Sequence, residues 1–255
     1  MTDIARQLEA LATTAPDSLA KNVLTATGTG RFYATVGGPT GDLLIGWSST
    51  GIYAVAPVGE LTRFLEEHSL GLLAPISQAL PAPWQRQVVA ALDSGKLGRL
   101  PVDLTGLTEF QQAVLRKTLE IPPGQLRPYG WVAREIGKPG ATRAVGSALN
   151  KNPVPVLIPC HRVGRSDGTV GQYAYGPEMK RNLLRAEGLD PDEVDDAAGR
   201  GVRFIGSATT SIYCHPTCHN ARRIKQPNRV ELRSAAAAHK AGFRACLVCR
   251  PAAAA

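Results

Sequence analysis

No apolar run in this 255-residue chain approaches the ~18 consecutive residues that a membrane-spanning helix needs. The longest apolar stretches, such as 154–158, are far shorter, and prolines break that one further. The first twenty residues, MTDIARQLEALATTAPDSLA, interleave Asp3, Arg6 and Glu9 with apolar positions. They hold no continuous hydrophobic segment, which excludes a secretory signal. No membrane partner and a cytoplasmic location are therefore expected. Internal repeats are absent as well. Cysteine is scarce and odd in number, five in all, which argues against a disulfide framework. What remains is a globular composition, 44% hydrophobic and 20% charged, in a chain longer than one ordinary domain.

The formal charge of +8 is unevenly spread. Residues 1–109 carry −3, residues 110–187 carry +7, the short run 188–199 carries −5 and residues 200–255 carry +9. Two basic blocks separated by an acidic spacer point to a polyanionic partner, because neutralising phosphates releases counterions and supplies affinity. A merely solvated surface is the plainer explanation, and charge alone does not decide between them.

Short β-type runs, RFYATV, DLLIGW and GIYAVA, follow Gly30 and are separated by Gly-Gly-Pro and Ser-Ser-Thr-Gly turns. They predict a small antiparallel meander. Helices are expected over 60–68 and 84–92, and residues 1 to about 25 read as helix, then loop. From Thr108 the spacing of Phe110, Val114, Leu115 and Leu119 is helical. Helices over 129–136 and 141–150, joined by GKPG, form a helix-turn-helix pattern with Arg143 at the start of the second. Residues 154–158 read as a buried β-branched strand between prolines that holds Cys160 at its end. An amphipathic helix over 178–187 turns Leu183 and Leu184 inward.

A lone cysteine is usually a small buried hydrophobe. Beside Cys160, however, stand His161 and Arg162, an imidazole and a positive charge of the kind that favours a thiolate. Taken singly, Tyr129 and Tyr173 read as packing aromatics and Glu187 as a surface carboxylate. Cys214, Cys218, Cys246 and Cys249 fall as two close pairs, the spacing that lets four sulfurs surround zinc. A unit of about fifty residues also has too small a core to fold comfortably without a metal. His215, His219 and His239 are then spare and expected at the surface.

Through FQQAVL, the RAVG at 143–146 and above all NPVPVLIPCHRV at 152–163, the chain from Phe110 to Leu189 resembles the O6-alkylguanine-DNA alkyltransferase family. GPTGDLLIGWSSTGIYAV resembles that family's strand-rich N-terminal domain more loosely. The resemblance implies that Cys160 accepts the alkyl group, that His161 activates it through a water, and that Glu187 orients the histidine. It makes Asn152 structural and Tyr129 the proton donor to the leaving guanine oxygen and a phosphate contact. It places Arg143 in the gap left by an extruded nucleotide, Ala144, Gly146 and Arg162 on DNA, and Val163, Tyr173, Ala174 and Pro155 at the base pocket. QYAYGPE departs from the family's usual loop and bears on alkyl size.

Residues 202–250, with SIYCHPTC and HKAGFRACLVCRP, resemble the metal-binding domain of Ada-type proteins. That likeness implies Zn2+ on the four cysteines, Cys214 as a second methyl acceptor from DNA methylphosphotriesters, and Arg222 among the DNA contacts. Ala208 and Ser211 stand where those proteins usually have arginine and glycine, and Leu247-Val248 where they have a basic pair. No stretch remains for the transcriptional helix-turn-helix pair of such proteins, so loss of a regulator function is expected.

The reading is thus an α+β chain: a strand-rich N-terminal domain over 1–107, a helical helix-turn-helix-containing alkyltransferase domain over 108–189, an acidic linker over 190–200 and a small zinc-binding α/β domain over 201–255. Its expected partner is double-stranded DNA with alkylated guanine, acted on once per chain by a monomer. The rival is a damage-recognising DNA-binding or regulatory protein whose zinc domain is purely structural.

Overall fold

The structure is a computed structural model and describes residues 22–24, 26–70 and 73–251; the helical reading of the N-terminus lies almost wholly outside these. The meander is β1 (Phe32–Gly38), β2 (Gly41–Ser48) and β3 (Gly51–Pro57), with β4 (Ile76–Ser77) added parallel to β1 in the order β3-β2-β1-β4. Both faces of β2 and β3 are covered, which is why their sequences are continuously apolar. Leu43, Ile45 and Trp47 point into the main core, while Leu44, Tyr53 and Ala54 meet Phe64 of α1 (Leu61–His68). Helix α2 (Ala82–Ser94) packs beneath the sheet and stops at Gly95, whose φ of 63° is the left-handed helix-ending conformation.

Helix α3 (Glu109–Thr118) opens with a reciprocal cap: Thr108 accepts from the Gln111 N–H, and the Gln111 side chain accepts from the Thr108 N–H. The two-residue β5 (Arg127–Pro128) leads into α4 (Tyr129–Glu135), followed by α5 (Thr142–Asn150). Val145, Ala148 and Leu149 face inward, leaving Arg143 and Ala144 exposed. One buried cluster runs from Phe32 through α2 and α3 to Val163, so the strand-rich and helical parts share a core. The β3 amide of Val55 even donates to the Pro153 carbonyl at 2.8 Å.

The stretch 154–158 is not the strand its β-branched residues suggest. It is a series of turns with one isolated bridge between Pro155 and Ile158 and a left-handed Val156 at φ 72°. Prolines 153, 155 and 159 have no N–H to give a ladder, so the segment coils and delivers Cys160 into a single 3-10 turn, Cys160–Arg162. Next, β6 (Val163–Gly164) pairs with β5, and α6 (Pro177–Ala186) packs on that turn.

The acidic run read as a linker is mostly helix, α7 (Pro191–Gly199). Asp190 caps it, Pro191 occupies its first turn, and Arg181 and Arg185 of α6 pair with Asp192 and Asp195. Two of its acidic side chains are thus tied to the preceding basic helix, while Asp190, Glu193 and Asp196 stay exposed. The C-terminal unit is a four-stranded sheet, order β10-β8-β7-β9, from β7 (Phe204–Ser207), β8 (Ile212–Cys214), β9 (Arg229–Leu232) and β10 (Arg244–Ala245). Two short helices, α8 (His219–Arg222) and α9 (Ala235–Lys240), complete it. Among the described residues no helix is long and apolar enough to cross a membrane.

Candidate functional site

Cys160 is 8% exposed and sits where two cavities meet, a small one of about 130 Å³ shared with Tyr129, Gly146 and Tyr173, and a larger one of about 380 Å³ toward Tyr175 and β3. Asn152 holds the segment in shape: its Nδ2 donates to the Ile158 carbonyl at 2.9 Å and to the Cys160 Sγ at 3.1 Å, while its Oδ1 accepts from the Val154 amide. Burial pushes the thiol above its usual range; the Asn152 amide and the Lys180 charge act in the opposite direction. The Tyr173 hydroxyl is buried beside this thiol without a hydrogen bond of regular geometry, and burial raises its pKa well above normal. Tyr129, at the start of α4, is also raised by burial and by Cys160.

Behind the thiol lies a buried ionic knot. The Glu187 carboxylate meets His161 Nε2 at 2.8 Å and Arg162 Nη2 at 2.7 Å, and Arg162 Nε bonds to both its oxygens. Burial alone would raise Glu187, but the hydrogen bonds and charges of His161 and Arg162 outweigh it and hold the carboxyl at about 2. Burial drives His161 down, so the imidazole is neutral, and its Nδ1 is buried with no partner. Arg162, expected on DNA, is 1% exposed; its remaining N–H groups donate to the Ile121 and Gly95 carbonyls. It is a core cation and cannot reach a phosphate. Val163, expected at the base pocket, is fully buried, lines neither cavity and offers its carbonyl to Lys180 at 2.6 Å.

Ala174 and Pro155 do line cavities at Cys160, the first both of them and the second the larger. Sequence reasoning missed Lys180, which is 1% exposed, donates to the Val163 and Gln172 carbonyls and is lowered by burial to about 8. The signal was available, since Lys180 lies three and four residues before Leu183 and Leu184 and therefore on their inward face. Also missed were Gly95 and Gly124. A Cβ on Gly95 would stand 2.5 Å from Arg162 Nη2, and one on Gly124 would stand 2.6 Å from the Glu187 carbonyl. Both positions let backbone close over the knot.

In the C-terminal unit the sulfurs of Cys214, Cys218, Cys246 and Cys249 lie within 4.8 Å of one another, all buried. Four thiolates on zinc stand about 3.8 Å apart for tetrahedral bonds of about 2.3 Å, so the donor set fits Zn2+. Backbone or amide N–H groups reach three of them: Asn220 and Ala221 to Cys218, Asn220 Nδ2 to Cys246, and His215 N to Cys249. Cys214 alone opens on a cavity of about 390 Å³, with Asn220, Arg223 and Lys225 in its wall. His219 is exposed, as expected, but His215 is 7% exposed beneath Phe204, because the chain must turn inward at Cys214.

The metal centre is fastened to the helix-turn-helix. Trp131 Nε1 of α4 donates to the Cys249 carbonyl at 3.0 Å, Arg134 donates to the Arg250 carbonyl, and Arg250 pairs with Glu135 at 2.9 Å. Leu126 N donates to Thr217 Oγ1 at 2.8 Å. Arg222 bonds to the Gly188 carbonyl and keeps an exposed side chain.

Residues 109–189 match the family described as 6-O-methylguanine DNA methyltransferase, DNA binding domain, and residues 193–252 match the metal binding domain of Ada. The methylated-DNA--protein-cysteine methyltransferase of Methanosarcina acetivorans is 48% identical over 81 residues, 32% of this chain and 52% of that protein. Regulatory protein ada of Salmonella typhimurium is 40% identical over 161 residues, 61% of this chain and 45% of its own length. The chain thus spans about half the length of the curated relatives it matches. Among solved structures, Mycobacterium tuberculosis OGT in complex with DNA is similar with a TM-score of 0.51 and 30% identity, covering 64% of this chain and 98% of that one.

Proposed function

This chain belongs to the 6-O-methylguanine DNA methyltransferase family, and from that premise we propose that it repairs DNA by moving an O6-alkyl group of guanine irreversibly onto Cys160. The observation that carries the reading is the buried thiol at the floor of a cavity whose wall holds Tyr129 and Gly146 of the helix-turn-helix. A paired guanine cannot present its O6 substituent to a buried sulfur, so the nucleotide leaves the stack at a cost of a few kcal/mol. Arg143, exposed at the start of α5 beside Ala144, is the side chain to fill the gap, and double-stranded DNA is the partner.

The thiol rests protonated, because burial raises it. Its proton passes through a water to His161, whose Nδ1 is the ring atom left free once Nε2 is tied to Glu187. Sγ then bonds to the alkyl carbon as the carbon–O6 bond breaks, and the departing oxygen takes a proton from Tyr129, a hydroxyl kept protonated by its raised pKa. The product is a thioether that no neighbouring group hydrolyses, so each chain acts once.

The C-terminal unit is an Ada-type zinc domain. Zinc keeps its cysteine ligands as thiolates at neutral pH. We further propose that Cys214 accepts methyl from a DNA methylphosphotriester, since of the four cysteines it is the one that lines the cavity of about 390 Å³, with Arg223 and Lys225 at hand for the flanking phosphates.

Peptide mass spectrometry after incubation with O6-methylguanine duplex and, separately, methylphosphotriester duplex tests both assignments. A gain of about 14 Da on the Cys160 peptide with the first and on the Cys214 peptide with the second is expected. Tight binding to the lesion without an adduct at Cys160 would instead mark a damage-recognising protein.

A further inference from the structure

A third cavity shares no lining residue with those at Cys160 or Cys214. It lies where β5, the loop after β6, helix α7 and the zinc unit converge, and its volume of about 380 Å³ suits a small ligand. Arg127, Arg165, Arg203 and Arg233 line it, and no aspartate or glutamate does. None of the four forms a salt bridge among the described residues. Arg127 is 3% exposed and donates only to the Leu126 carbonyl and the Gln125 side chain, with Nε left over. His215, also in the lining and 7% exposed, has an unpartnered Nε2. Asp167 is near enough to feel Arg165 and Arg203, yet it bonds to the Thr169 N–H and hydroxyl and stays out of the lining. The zinc thiolates act on Arg127, which leaves the other three cations of the cavity without a thiolate or carboxylate bonded to them.

Buried polar groups are ordinarily hydrogen-bonded, and buried charges are ordinarily paired. Two buried atoms without a partner, Arg127 Nε and His215 Nε2, face a cavity whose rim carries the half-buried Arg203 and the exposed Arg165 and Arg233, a setting that suits an anion, and guanidinium forks match phosphate oxygens two at a time. Val194, Val202 and the Phe204 ring give the wall an apolar side, beside the hydroxyls of Ser166, Thr169, Thr217 and Ser234. We propose that this interdomain cavity binds a phosphate ester of nucleotide size, its phosphate on the arginines and its ring against Phe204. The phosphate belongs either to a free mononucleotide or to a nucleotide of a DNA strand crossing the domain junction; the recognising chemistry is the same.

The test uses the full zinc-loaded chain and reads binding only, so it is independent of transfer to Cys160. Arg233→Glu alters a side chain that makes no hydrogen bond among the described residues, and Arg200→Glu makes the same charge change outside the cavity. Calorimetry with deoxyguanosine monophosphate and anisotropy with a labelled undamaged duplex supply the two arms, with thermal midpoints as the check on folding. Saturable mononucleotide binding that Arg233→Glu weakens at least about tenfold, and Arg200→Glu does not, supports the site with a free nucleotide as ligand. Duplex affinity lowered about tenfold by Arg233→Glu alone, with a salt slope smaller by about one, supports it with DNA as the source. Equal behaviour of the two variants in both arms overturns the proposal.

Discussion

At the residue scale the account rests on Glu187. Its carboxyl is held at about 2 in the folded protein, against about 4.3 for an unperturbed glutamate. Between those values the unfolded chain binds the proton and the folded one does not, so stability is fully present above about pH 5 and falls as pH drops toward 2. His161 acts in the same sense: burial lowers it below 6.5, so the unfolded chain protonates first as the solution is acidified. Glu187→Gln should cost about 3 kcal/mol at pH 7, because it leaves Arg162 buried without its carboxylate, and the gap to the parent should close toward pH 2. Urea midpoints measured for both chains across that range check this; a constant gap would contradict it. The Cys160–His161 pair was legible because the two residues are adjacent. Arg162 was not, since only the Glu187 carboxylate and the Gly95 and Ile121 carbonyls, all distant in sequence, reveal that it is interior.

At the element scale, apolar patterns located the meander, α1 to α6 and the helix-turn-helix to within a few residues. They failed where backbone chemistry overrode side-chain preference. Three prolines turned an apparent strand into the coil before Cys160, and an N-cap with a first-turn proline made the acidic run a helix. Ser211 is a comparable case. It ends the turn between β7 and β8 at φ 50°, a left-handed conformation that glycine adopts without strain. Ser211→Gly should stabilise the zinc unit by about 0.5–1 kcal/mol, less than the full left-handed penalty because glycine loses more backbone entropy. Thermal or denaturant midpoints would show the gain; a loss would mean that the Ser211 side chain contributes something its exposure hides.

At the scale of the whole molecule, the separation into a transferase and a zinc unit was visible in charge and cysteine spacing, but the way they join was not. No sequence pattern announces that Trp131 bonds to the Cys249 carbonyl or that Arg250 reaches Glu135. Because those bonds end on the loop that closes the metal site, removing zinc should loosen α4 as well as the C-terminal unit. In a variant with Trp131 as the sole tryptophan (W47F, W84F), chelation should shift emission to the red as the 3% exposed indole meets water. An unchanged spectrum with zinc fully removed would show that the junction holds without the metal.

The measurement that bears most directly on the central claim is stoichiometric. The chain is mixed with increasing excess of O6-methylguanine duplex, and restored guanine is counted per chain. The account predicts a plateau at about one equivalent for the parent chain and none for Cys160→Ala. Continued turnover beyond one equivalent, or repair by Cys160→Ala at the parent rate, would contradict it.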